Sequence, residues 1–200
     1  MLMSQTDLAA LVCSRMCHDL VSPIGAIGNG LELLELSDMR GASELALISD
    51  SVQQANARIR LFRMAFGHAD PTQMVPRKEV LSVLTSLAHG SRNAYLWQAP
   101  GDHSRQAVRC ALLALLCLDS ALPLGGDITV SLSGETWQVS ATADRLNAEP
   151  ALWDYLTAPS SSLTFQPNTV QFALLPLAAS AMERRIQVIR PDDSTLMLSF

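Results

Sequence analysis

Two apolar repeats of matched period occupy the first third of the chain and dictate how it must begin to fold. Cys13, Cys17, Leu20, Ile24, Ile27, Leu31 and Leu34 alternate at spacings of four and three. Leu45, Ile48, Val52, Ala55, Ile59, Phe62 and Phe66 do the same. A period of about 3.5 residues draws a continuous stripe along a helix and seats it against a second helix. The polar stretch SDMRGAS separates the two repeats. The pattern therefore predicts an antiparallel helical hairpin over residues 1–70, each arm roughly 40 Å long at about 1.5 Å per residue. Met16, Leu33, Leu47 and Leu61 lie off the stripe and would stay wet on a lone hairpin. Two hairpins pairing as a four-helix bundle would cover them, which predicts a homodimer; cover by a second domain is the alternative.

The composition limits the classes of function. Two hundred residues, 48% hydrophobic and 16% charged, are enough for one large domain or two small ones with a real core. The net charge is −5, and no Lys/Arg cluster or aromatic-basic interleaving occurs, so nucleic acid is not expected as a ligand. The first residues lack a basic start before an apolar run, and the longest apolar run, CALLALLCL, is too short to span a bilayer. No membrane partner is expected, and four cysteines, which make no disulfide framework, predict a reducing, cytoplasmic setting.

His18 lies off the first repeat and points away from it. At about 100° per residue it stands opposite the apolar stripe, flanked by Ser14, Arg15, Ser22, Gly25 and Asn29, with Leu11 the apolar exception. By itself such a histidine is an ordinary solvated surface residue. Its surroundings set it apart. Pro23 has no N–H for the carbonyl of Asp19 and crowds it, at a cost of about 3 kcal/mol in a helix interior. Gly25, Gly28 and Gly30 each add up to about 1 kcal/mol. These residues predict a bend beside His18 and an uncrowded outer face.

His18-Asp19-Leu20, then Ser22-Pro23, then Leu31-Glu32-Leu33-Leu34, resembles the H-box of two-component sensor histidine kinases. The fuller string CHDLVSPIGAIGNGLELL looks more particularly like the ChpT-type histidine phosphotransferases of bacterial phosphorelays, and the resemblance spans the whole chain. Val21 departs from the kinase pattern, where a basic residue is usual. The resemblance implies an α+β protein: a dimeric helical hairpin, then an α/β sandwich like a kinase ATPase domain that has lost its nucleotide site. It implies that His18 accepts phosphate and that Asp19 orients it or acts as general base. Ser14, Arg15, Ser22, Gly25 and Asn29 would meet a partner, and Arg15 could either pair with Asp19 or meet the phosphoryl group. The implied partners are a hybrid kinase's receiver domain as donor and response regulators as acceptors. The chain would hold no cofactor or metal of its own, and Mg²⁺ would come with the receiver, since no carboxylate cluster lies near His18.

PTQMVP at 71–76 reads as a linker into a second domain over 77–200. KEVLSVLTSLAHG reads as an amphipathic helix, NAYLWQ as a strand and Ser104 to Leu118 as a buried helix. DITVSLS and TWQVSAT form a hairpin about Gly134-Glu135, a helix from about Val170 to Arg185 holds Pro176, and RIQVIR and STLMLSF are closing strands. This order suits helices on one face of a mixed sheet. By the resemblance to sensor-kinase ATP-binding domains, a buried helix would carry an asparagine that helps hold Mg·ATP and two later glycine-rich boxes would wrap the nucleotide. Here the corresponding helix reads ALLALLCLDSALPLGGDITV, with no asparagine. Asp144 lacks following glycines, and no glycine occurs from Glu135 to Phe200. Backbone that approaches phosphates closely depends on glycine, so no nucleotide site is expected.

Other readings are weaker. Cys13 and Cys17 are spaced one residue too far for haem attachment, point away from His18, and read as small core residues, as do Cys110 and Cys117. His68, His89 and His103 read as surface or capping residues, and Trp97, Trp137 and Trp153 as core or interface. The leading expectation is a histidine phosphotransferase relaying phosphate between receiver aspartates. An ATP-dependent kinase core and a non-catalytic, receiver-binding dimeric scaffold are the alternatives.

Overall fold

The computed structural model describes residues 4–36, 42–160 and 163–200. Two long helices, α1 (Gln5–Leu36) and α2 (Ala42–Ala65), pack along each other as the repeats require. Residues 37–41 of the SDMRGAS connector lie outside the described residues. Ser4 caps α1: its hydroxyl accepts from the Asp7 backbone N–H at 3.1 Å and donates to the Asp7 carboxylate at 2.7 Å. The helix runs unbroken through Pro23.

The stripe is divided differently from the sequence expectation. Cys13, Cys17, Ile24 and Leu31 on α1, and Leu45, Val52 and Ile59 on α2, are exposed on the single chain rather than buried within the hairpin. The line facing α2 is rotated by roughly one position and includes buried Pro23 and Gly30, with Met16, Leu20, Ile27 and Leu34 half-buried. Gly30 permits a close approach, for a Cβ there would lie 2.6 Å from Ile48 Cγ1. The apolar stripe is thus wider than one partner helix can cover. Of the off-stripe residues, Leu61 is buried in the second domain's core and Met16 is half-buried, whereas Leu33 and Leu47 stay exposed.

Both helices are rooted in the sheet-bearing half. Leu8, Leu11 and Val12 of α1 pack against its core, so Leu11 is a docking contact and not a surface exception. Leu61, Met64 and Ala65 of α2 join the same core. The last carbonyls of α2 would be orphans. Instead, Arg105 donates to the carbonyls of Met64 (2.6 Å) and Arg63, and Arg109 Nε donates to that of Ala65 (3.1 Å). Two guanidiniums from another helix therefore cap the negative end of α2.

That other helix, α4 (Arg105–Asp119), is buried along most of its length and begins at an N-cap, Ser104, whose hydroxyl accepts from the Ala107 N–H. With α3 (Arg77–Ala88) it lies against a five-stranded mixed sheet, and it packs along α6 (Val170–Ser180). The strands are β2 (Asn93–Trp97), β4 (Gly126–Ser133), β5 (Thr136–Thr142), β6 (Gln187–Ile189) and β7 (Thr195–Ser199), in the order β2-β4-β5-β7-β6. Among the described residues only β2 and β4 run parallel. Ile128, Val130, Val139, Ala141, Leu196 and Leu198 are buried on the helix side, while Thr129, Ser140 and Met197 alternate to the other face, half-buried. The β4–β5 turn contains Gly134 at φ +60°, a left-handed conformation suited to glycine. The fold is α+β, a helical hairpin followed by a sheet domain, as the sequence predicts.

Three local readings need correction. Within the supposed linker, β1 (Met74–Val75) pairs antiparallel with β3 (His103–Ser104). Helix α6 stops at Ser180, not near Arg185; the chain turns away with Glu183 at φ +58°. A helix unassigned from sequence, α5 (Pro150–Thr157), is held by Trp153, whose ring meets Phe172 edge-on at 5.2 Å between centroids.

Candidate functional site

His18 projects from the outer face of α1, opposite the line that meets α2, and its side chain is 82% exposed. Its neighbour is the reverse: the Asp19 side chain is 15% exposed. The His18 Nδ1 lies 3.0 Å from Asp19 Oδ1, so an Nδ1–H tautomer donates to the carboxylate and leaves the Nε2 lone pair facing solvent. The other carboxylate oxygen, Oδ2, accepts from Arg15 Nε at 2.6 Å, an i, i+4 pair on the helix. Arg15 extends further and donates from Nη1 to the backbone carbonyl of Asn168 at 2.9 Å. That carbonyl belongs to the short 3₁₀ turn Pro167–Thr169 leading into α6. A hydrogen-bonded series therefore runs from the sheet-bearing half to the histidine.

The backbone of Asp19 is held as well. Its carbonyl stands four residues before Pro23, which has no N–H to give it. Arg58 of α2 donates to it from Nη1 at 2.7 Å. This contact accompanies the unbroken course of α1 through the proline, where a bend is expected from sequence. Behind the site, Arg15, Asp19 and Arg58 form one wall of a cavity of about 200 Å³ between the hairpin and the second domain. Tyr95 and Asp119 lie on another wall. The Tyr95 hydroxyl donates to Asp119 Oδ1 at 2.6 Å, and Asn93 Nδ2 donates to the same oxygen at 2.8 Å. Burial, then the Asp119 carboxylate, pushes the Tyr95 hydroxyl pKa well above its ordinary value, so Tyr95 serves as a neutral donor.

The sequence-predicted residues divide into two groups. Ser14, Ser22, Gly25 and Asn29 are exposed around His18, and a Cβ on Gly25 would meet nothing within 4 Å. Arg15 differs, being only 19% exposed and turned to Asp19 and Asn168, so it is an orienting group and not part of the open face. Cys110 and Cys117 are buried as expected, whereas Cys13 and Cys17 are exposed. His68 and His89 are exposed, but His103 sits in β3 with its ring edge-on to Trp137 at 4.8 Å between centroids. Trp97, Trp137 and Trp153 are all buried. Sequence reasoning missed Arg58 and the Asn168 carbonyl. Arg58 is one of several arginines on α2, and a backbone acceptor leaves no signature. The only available signal was Pro23, which requires that something satisfy the Asp19 carbonyl.

Together these features define an α+β protein that holds an imidazole open to solvent while a fixed carboxylate backs one of its nitrogens. Residues 77–194 match the family model described as the histidine phosphotransferase C-terminal domain. Over 136 residues the chain is 39% identical to the protein phosphotransferase ChpT of Brucella abortus (strain 2308). That match covers 66% of this chain and 64% of the relative, a little under two thirds of its length. A solved bacterial phosphotransferase structure superposes with a TM-score of 0.83 at 29% identity, covering 98% of this chain and 97% of that one. The chain belongs to the histidine phosphotransferase family, of the ChpT type.

Proposed function

We propose that this protein relays phosphate between receiver-domain aspartates through a phosphohistidine at His18. The observation that carries the reading is the exposed His18 ring backed at Nδ1 by an Asp19 carboxylate that is itself fixed by Arg15. With the proton held at Nδ1, the Nε2 lone pair attacks the phosphorus of a receiver's aspartyl phosphate. The N–P bond forms, the P–O bond breaks, and the electron pair leaves with the aspartate as a carboxylate. Asp19 stabilises the imidazolium character that develops on the ring. Return to a second receiver reverses these steps.

Small side chains around His18 (Ser14, Ser22, Gly25, Asn29) would let a receiver's acidic pocket approach the ring closely. That pocket would supply Mg²⁺ to neutralise the equatorial oxygens. Donor and acceptors would be a hybrid kinase's receiver and response regulators, and the relay would run in the cytoplasm. No helix among the described residues is long and apolar enough to cross a membrane. The exposed half of the apolar stripe supports a homodimer in which two hairpins form a four-helix bundle. Autophosphorylation from ATP is not expected, because the stretch after Glu135 offers no glycine for a phosphate-wrapping loop.

Incubation with ATP, and separately with a phosphorylated cognate receiver, tests the reading. Acid-labile, base-stable label from the receiver alone, chased onto a second receiver, is the expected result. Label from ATP alone would make this a kinase. Receiver binding without label would make it a scaffold.

A further inference from the structure

We propose that Arg58 is a positioning residue for the phosphoacceptor, supplying from α2 the hydrogen bond that Pro23 withholds from the Asp19 carbonyl. This inference rests on the phosphotransfer reading for its rate consequence but not for its geometry. In an uninterrupted helix the carbonyl of residue 19 would accept from the N–H of residue 23. Proline removes that donor, and a carbonyl left without a partner in a half-buried helical turn is costly. Arg58 Nη1 takes the place of the missing N–H at 2.7 Å, a charge-assisted distance. Among the described residues Arg58 forms no ion pair, so its charge is directed at this backbone oxygen.

The consequence falls on Asp19. Three of its oxygens are engaged at once: the carbonyl by Arg58, Oδ2 by Arg15, and Oδ1 by the His18 ring. The two arginines come from different directions. Arg58 is carried by the opposing helix, while Arg15 is tied to the second domain through Asn168. An ordinary helical carbonyl would be bonded within α1 and independent of α2. Proline at position 23 instead makes the backbone beside the histidine depend on where α2 lies. Pro23 and Arg58 are thus one device, a helix opened at the phosphoacceptor and closed again from across the hairpin.

The device makes a specific prediction for a double-mutant cycle. In a Pro23→Ala background the alanine N–H satisfies the Asp19 carbonyl, so loss of Arg58 should matter less. Arg58→Ala should slow phosphoryl uptake from a phosphorylated receiver about tenfold with Pro23 present, and less than about threefold in the Pro23→Ala background. Nitrogen-15 shifts of the His18 ring, read without any phosphate donor, should show a weakened Nδ1–H preference in Arg58→Ala. They should show its recovery in the double variant. Equal Arg58 effects in the two backgrounds, or an unchanged tautomer in Arg58→Ala, would overturn the proposal. If Arg58→Ala does not fold, the double variant should; failure of both to fold also counts against it. Absence of label on the unsubstituted protein would sink the relay reading instead, while the ring shifts would still decide the clamp.

Discussion

At Asp19 a single carboxylate faces two donors whose demands are compatible only while it is ionised. Oδ1 receives the His18 Nδ1–H and Oδ2 receives Arg15 Nε–H. Asp19→Asn keeps the volume but sets an amide N–H₂ against one of those donors, so either Arg15 or His18 loses its acceptor. We expect phosphoryl uptake at His18 to fall about a hundredfold with the fold retained, checked by initial labelling rates alongside circular dichroism. An undiminished rate would mean that the imidazole needs no orienting carboxylate. The buried thiols give a second residue-scale expectation. Burial pushes the pKa values of Cys110 and Cys117 well up, so neither offers thiolate near neutral pH, and an alkylating reagent should spare both until the protein unfolds. Mass mapping of the modified cysteines checks this.

Among the elements, α2 depends most visibly on side chains from elsewhere. Its terminal carbonyls at Arg63, Met64 and Ala65 are closed by Arg105 and Arg109 of α4. Arg105→Ala should therefore cost about 2 kcal/mol, because two carbonyls lose a charged donor at once. In a chain of this size that lowers the thermal midpoint by roughly 4–8 °C, measurable by calorimetry. A shift under a degree would show that water replaces the guanidinium without loss. The elements also show how far sequence patterns reach. Long repeats gave α1 and α2, and alternation about Gly134 gave β4 and β5, because periodicity records burial directly. The short α5 has too few turns for a period and depends on Trp153 packing on Phe172. The β1–β3 pair has two residues per strand, and its pairing partner is remote in sequence. For the site, His18 and Asp19 were legible through their spacing to Pro23, while Arg58, 39 positions along the chain from Asp19, was legible only as an unmet carbonyl.

For the whole molecule, the division of the apolar stripe is what the proposed dimer rests on. The sequence placed Cys17, Ile24, Leu31, Leu45, Val52 and Ile59 inside one hairpin; the chain instead leaves each of them exposed. A period of 3.5 residues cannot say which of two neighbouring helices each position meets, and in a bundle both are met. If the proposed dimer forms through this face, Ile24→Glu with Val52→Glu should give monomers by sedimentation, and should make Cys17 react with an alkylating reagent faster than in the unsubstituted protein. Unchanged sedimentation would place the dimer contact elsewhere. The two halves of the chain meet through the Arg15–Asn168 contact and the α4 caps on α2, so the sheet domain bears on the histidine's setting without touching the ring. The measurement that reaches the centre of this account is the location of phosphate after exposure to a phosphorylated receiver, read by phosphorus and nitrogen-15 resonance. The account predicts one phosphoryl group, on Nε2 of His18, absent from His18→Ala. Phosphate on any other side chain, or on Nδ1, would contradict it.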